Sequence, residues 1–95
     1  MAASIAFHTT GELTSDTLIA TGRSLLGGVH ILTDGVNPAT VIIYDETSAT
    51  GDKMFESVVA GADESRYFDL PVLQAKTGIY MDIAGTGASC IVYTG

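Results

Sequence analysis

The chain predicts an all-β fold, a compact antiparallel β-sandwich of about eight strands following a jelly-roll-like or Greek-key path. Three observations carry this. Short apolar runs rich in β-branched residues recur along the sequence, and such side chains pack well on a pleated surface. Between them lie turn formers, in TGEL, ATGRS, TDGVNPA, ATGDK, AGADES, KTG and AGTGA, so that strands follow one another every 8–12 residues or so. No stretch keeps a 3.6-residue apolar period beyond a turn or two, which leaves no amphipathic helix to expect.

Taken in order, Ile5–His8 is a short apolar piece, Thr17–Ala20 a second, and Leu25–Leu32 a third with the pair Gly27-Gly28 inside it. Val41–Tyr44 (VIIY) is apolar throughout, as a central strand buried on one or both faces requires. Lys53–Ala60 fits a strand or one helical turn, and Val58-Val59 favours the strand. Arg66–Leu73 contains Pro71; lacking an N–H, proline places the second half of that run at a sheet edge or a bend. Ile79–Ala84 alternates, with Ile79, Met81 and Ile83 on one face and Tyr80 and Asp82 on the other. Ser89–Tyr93 closes the series, and Gly85-Thr86-Gly87-Ala88 is expected to join these last two strands as a hairpin.

The 95 residues suit a single domain, 1–95, with no internal boundary. With 46% hydrophobic and only 16% charged residues, the chain carries more apolar surface than a small isolated domain normally shows. Burying the excess between subunits is the direct physical answer, so a homo-oligomer is expected. The weakly patterned segment 1–10 is either a terminal strand of its own sheet or an arm held by a neighbouring subunit. The net charge of −7 includes only four basic residues, Arg23, Lys53, Arg66 and Lys76. That balance argues against direct contact with nucleic acid or an anionic membrane, both of which need clustered cations. No apolar run approaches the roughly 20 residues that cross a bilayer. The N-terminus lacks the basic start and apolar core of a signal peptide, so synthesis and folding in the cytoplasm are expected. Cys90 is the only cysteine; set in the apolar run SCIVY, it reads as a buried small hydrophobe.

The densest polar stretch is YDETSATGDKM, residues 44–54. It is no phosphate loop, because the first glycine of G-x-x-x-x-G-K-[ST] is missing and Asp52 separates Gly51 from Lys53. Asp45, Glu46 and Asp52 offer hard oxygens, yet they stand at the two ends of the loop and lack calcium-loop spacing. A solvated strand connection is the stronger reading, with no metal or cofactor expected. Neither histidine, His8 or His30, belongs to a recognisable catalytic set, and no serine occupies a G-x-S-x-G elbow. Asp34 follows His30 too closely along the strand to serve as an independent triad member. No enzymatic activity is expected. Tyr44, Tyr67, Tyr80 and Tyr93 are read as sheet packing, with stacking on a sugar ring as the alternative.

Residues 41–53, VIIYDETSATGDK, resemble a V-x-V-Y-D-x-T-S-A-x-G-T-K strand and loop of small virion proteins of tailed bacteriophages. The stretch 77–93, TGIYMDIAGTGASCIVY, resembles the T-G-L-Y-V-x-I-S-G-T-x-A-x-V-T-V-x-Y ending of the same proteins, and Leu26-Gly27-Gly28-Val29 is similar to their approach to the first long strand. The likeness spans about Leu25 to Tyr93, with Asp52 and Asp82 as acidic departures. It implies a non-enzymatic β-sandwich on the phage particle. The expected role is head decoration (cement), with a head–tail connector or neck component next and a carbohydrate-binding module as the rival from another class. It further implies a location on the capsid surface and two partners: the chain itself, as a closed ring such as a trimer, and the major capsid protein. Expected contact residues are Ile5, Phe7 and His8 of the arm, Asp34, Val36 and Asn37 in one loop, and Asp45, Glu46, Asp52 and Lys53 in another.

Overall fold

The computed structural model describes residues 7–95. Eight strands follow in order: β1 (His8–Thr9), β2 (Thr17–Thr21), β3 (Ser24–Leu32), β4 (Ala39–Tyr44), β5 (Lys53–Val59), β6 (Ser65–Ala75), β7 (Gly78–Ala84) and β8 (Ser89–Thr94). A single 3-10 turn, Gly61–Asp63, separates β5 from β6. The strands form two antiparallel four-stranded sheets, sheet I in the order β1-β8-β3-β6 and sheet II in the order β2-β7-β4-β5. Each strand of the first half pairs with its counterpart counted back from the end: β1 with β8, β2 with β7, β3 with β6 and β4 with β5. The chain is thus one long antiparallel ribbon whose tip is residues 45–52. Folding the ribbon over brings β3 beside β8 and β4 beside β7, which is the path of a jelly roll.

The expected β7–β8 hairpin is not formed, because β7 lies in sheet II and β8 in sheet I. Ile79 and Met81 face the core from one side, Cys90 and Val92 from the other, and all four are fully buried. Alternation that suits two hairpin strands suits two strands facing one another across a sandwich equally well. Residues 85–88 are long enough to span the roughly 10 Å between packed sheets. Gly85 and Gly87 take φ of +124° and +70° there, which turns the chain inward against Pro38 and Asp34 of the β3–β4 crossing. Among the described residues, β4 and β5 are the only consecutive strands that pair with each other.

The core is filled by Leu26, Val29 and Ile31 of β3, Cys90 and Val92 of β8, Val41 and Ile43 of β4, and Ile79 and Met81 of β7. The two central strands of each sheet therefore supply most of it, and each large side chain there contributes about 1.5–3 kcal/mol. Pro71 stands on β6, an edge strand, as its missing N–H demands. The register slips between Leu26 and Gly28 where β6 passes from Leu73 to Asp69, so Leu70-Pro71-Val72 bulges and Val72 is driven to φ +52°. Segment 1–10 is described only from Phe7; His8 and Thr9 pair with Thr94 and Tyr93 of the chain's own sheet.

Candidate functional site

The residues expected to make contacts fall in three places. Asp45, Glu46, Asp52 and Lys53 lie at one end of β4, and Asp34, Val36 and Asn37 precede its other end. Phe7 and His8 lie along the β1 edge of sheet I, and Ile5 is outside the described residues. No single site collects them.

At the ribbon tip, the Asp45 carboxylate accepts backbone N–H bonds from Lys76 (3.0 Å), Thr77 (2.8 Å) and Gly78 (3.3 Å). These N–H groups, Thr77 foremost, stabilise the charged form and hold its pKa below the usual carboxylate range. The Asp45 N–H in turn donates to the Asp52 carbonyl at 2.8 Å, closing the loop. A carboxylate engaged by three N–H groups has little left to offer a cation. Its work is to bind the β4–β5 tip to the β6–β7 turn. Lys53 pairs with Glu56 at 3.3 Å on the surface, an exposed contact worth little.

The opposite loop is closed in the same manner. Asp34 lies beyond the end of β3, and its Oδ1 accepts from the N–H of Val36 (2.9 Å) and Asn37 (2.7 Å) while Oδ2 accepts from the Asn37 amide (2.8 Å). Those bonds, that from the Asn37 backbone first, lower its pKa as well. Val36 is left 79% exposed at the tip. Asp34 is thus a turn-former occupied with its own loop, with no free carboxylate to orient His30.

Two features went unread in the sequence. On the outer face of sheet I, Tyr67 stands edge-on to His30 (centroids 6.2 Å apart) and to Tyr93 (5.9 Å). The Tyr67 ring lies across Gly28, where any Cβ would run into it, and Phe7 lies in the same way on Gly27. The glycine pair in the middle of a strand was the available signal, since a strand glycine marks a close approach. Tyr67 remains about half exposed. The second feature is on the outer face of sheet II. The Thr17–Met81 register sets Asp16 opposite Asp82, and Asp16 accepts the Ile83 N–H at 2.8 Å. Burial, followed by the Asp16 charge, raises the pKa of Asp82.

Other chemistry-bearing groups are accounted for locally. Ser89 donates to Glu12 at 2.6 Å, and the Cys90 thiol is pushed up to about 12 by burial, so it is inert as a nucleophile. Among the described residues there is no pocket, no cluster of three metal-ligating side chains, and no helix long and apolar enough to cross a membrane. The arrangement is therefore that of a jelly-roll β-sandwich with closed loops, an outer sheet I face carrying Tyr67 and an outer sheet II face carrying Asp16, Asp82 and Glu56. No family model, curated protein or solved structure matches the chain.

Proposed function

We propose that the chain is a non-enzymatic structural protein of a bacteriophage particle, a decoration (cement) protein on the capsid surface. It would act as a homo-oligomer bound to the major capsid protein, without a cofactor. The observation that carries the reading is the pairing of self-closed polar loops with the half-exposed Tyr67 ring, set beside the partly buried His30 and Tyr93. Such a surface suits binding by shape and apolar contact. The resemblance of residues 41–53 and 77–93 to phage virion proteins supplies the setting. A protein that binds only the assembled lattice draws the equilibrium away from disassembly, and weak contacts multiply over many copies. The loops at 34–37 and 45–53, with Phe7 and His8, are the proposed contacts with the capsid. A head–tail connector or neck role is the nearest variant.

The test is to mix purified protein with capsids lacking it and to sediment the mixture. Saturable binding to expanded capsids and a raised capsid melting temperature are expected. Protein that stays in the supernatant at every concentration would overturn the reading. A second reading, carbohydrate binding, draws on Tyr67 itself, a half-exposed ring flanked by His30 and Tyr93. It predicts saturable binding on a glycan array that is lost in Tyr67→Ala.

A further inference from the structure

We propose that two copies of this chain join through their β5 strands, side by side and antiparallel about a two-fold axis at Ser57, an inference that rests on the assembling role proposed above and names a contact that serves it. An open sheet edge is a row of unpaired N–H and C=O groups that invites another strand. Of the four edge strands, three are blunted. β1 is only two residues long, and β2 is interrupted by a bulge between Leu18 and Ala20. β6 carries Pro71, which removes a donor, inside the bulge that drives Val72 to φ +52°.

β5 has none of these devices. It contains neither proline nor glycine, and it pairs with β4 without a slip from Phe55 to Val59. Its one mid-strand charge, Glu56, lies on the solvent face and is paired with Lys53. The flank beside it is apolar and only partly covered, with Phe55 meeting Phe68 of β6 edge-on at 5.1 Å. A strand added to β5 extends sheet II and shields that aromatic pair.

The occupant is a second copy because β5 complements itself. Residues directly opposed in an antiparallel pair point to the same face, so a two-fold axis must pass through a residue rather than between two. An axis at Ser57 sets Phe55 opposite Val59 of the other copy and Glu56 opposite its exposed Val58. It carries Lys53 to Gly61 of the other copy, beside the turn that bears Asp63 and Glu64, while Asp52 is drawn back to β4 by the Asp45 N–H. An axis at Glu56 would oppose two carboxylates directly, which destabilises. Moving it to Phe55 or Val58 runs the pairing into Asp52 of the loop or into the 3-10 turn. Residues 54–60 at about 3.4 Å each make a seam about 24 Å long, on a molecule 18 Å thick. That is about 400 Å² per partner, half of a standard interface. A contact of this size is weak between free molecules and gains strength where a lattice holds many copies close. It is isologous and closes at two, distinct from the three-fold ring implied by the family resemblance.

Sedimentation velocity from about 1 µM to about 1 mM, a range bracketing weak to moderate affinities, tests this on the full chain. The expected result is a monomer–dimer equilibrium in the upper part of that range, weakened at least about tenfold by Ser57→Lys and unchanged by Leu18→Lys on edge strand β2. Ser57 lies opposite Val41 on the inner side of β5, where a lysine reaches water from a free edge and is trapped in a paired one. Circular dichroism confirms that each variant folds. Independently of those variants, Ser57→Cys should give a disulfide-linked dimer on oxidation, because the two thiols meet at the axis, and Leu18→Cys should not; the buried Cys90 is silent in both. A monomer at the highest concentration, a trimer, an oligomer that Leu18→Lys weakens as much as Ser57→Lys, or equal cross-linking at positions 18 and 57 overturns the proposal. Capsid binding is read separately: a monomer that decorates capsids refutes this contact alone, and a dimer that ignores them refutes the role alone.

Discussion

Replacing Asp82 with asparagine should stabilise the protein at neutral pH, an uncommon outcome for a half-buried polar residue. The reasoning begins with register. Asp82 sits on β7 opposite Asp16 at the start of edge strand β2, and Asp16 is tied toward β7 by the Ile83 N–H. Among the described residues, the other charged groups of that face are Glu56, across Ile42, and Lys53, which is bound to Glu56; Tyr80 lies two residues along β7 from Asp82. No cation therefore stands between the two aspartates among the described residues. Burial, followed by the Asp16 charge and a hydrogen bond to Asp16, raises the folded-state pKa of Asp82 above its usual 3.8. A raised value means that the folded state binds the proton more tightly than the unfolded chain. The stability it brings is complete below 3.8 and is lost as pH rises through the folded value.

Directly opposed like charges on a sheet cost about 0.2–1 kcal/mol, and solvent at this half-buried site pushes the figure toward the lower half. Asparagine keeps the shape, removes one charge, and offers an N–H to Asp16. A gain of about 0.5 kcal/mol corresponds to roughly 2–4 °C in melting temperature for a domain of this size. Thermal melts followed by circular dichroism at pH 3, 5 and 7 measure it. The gain should be largest at pH 7, shrink toward zero below 3.8, and fall in 1 M salt, where the screening length is about 3 Å. A lower melting temperature for Asp82→Asn at pH 7, or an equal gain at pH 3 and pH 7, would refute the like-charge argument.

Three further outcomes follow from the geometry. Asp45→Ala should lower the melting temperature at pH 7 by freeing the N–H groups of Lys76, Thr77 and Gly78; because the Asp45 pKa is depressed, the difference from wild type should narrow only as pH falls below 3.8. Gly28→Val should cost about 1–3 kcal/mol in urea unfolding, because its Cβ would collide with the Tyr67 ring, and Tyr67→Ala in the same chain should recover part of that loss. Cys90 should resist a maleimide in native protein and react at once in denaturant, since burial holds the thiol near 12; rapid native labelling would show that the β8 side of the core opens.

Much of the fold was legible because strands announce themselves locally. VIIY is a central strand of sheet II and IYMDIA another, as their apolar content requires. Pro71 marks a bulge on an edge strand for the reason a missing N–H supplies. Partnership was less legible, because it is settled by which faces meet after collapse. The segments 79–84 and 89–93 carry the alternation of a hairpin, and only the crowding of Gly85 and Gly87 against Pro38 and Asp34 shows that the connection crosses the sandwich. The same limit hid the two clusters on the outer sheet faces. Tyr67, His30 and Tyr93 come from three strands, and Asp16 lies far along the chain from Asp82. A loop's composition likewise says nothing of what its carboxylate will bind.

The three perturbed aspartates pull the pH dependence in opposite directions. Asp34 and Asp45 have depressed values because backbone N–H groups favour their charged forms, so their contributions vanish as pH falls below 3.8. Asp82 is raised, so its contribution vanishes as pH climbs above 3.8. The two kinds of site act on opposite sides of one value, and their combined stabilisation is greatest near it, on the acid side of neutrality. That placement follows from position in the ribbon. Carboxylates in the connections meet unpaired N–H groups, which welcome charge. A carboxylate in the middle of a sheet face finds its N–H neighbours already committed to the ladder, and the next side chain across decides its fate. In this chain that neighbour is another aspartate, which is why the pKa of Asp82 is raised while those of the loop carboxylates Asp34 and Asp45 are lowered.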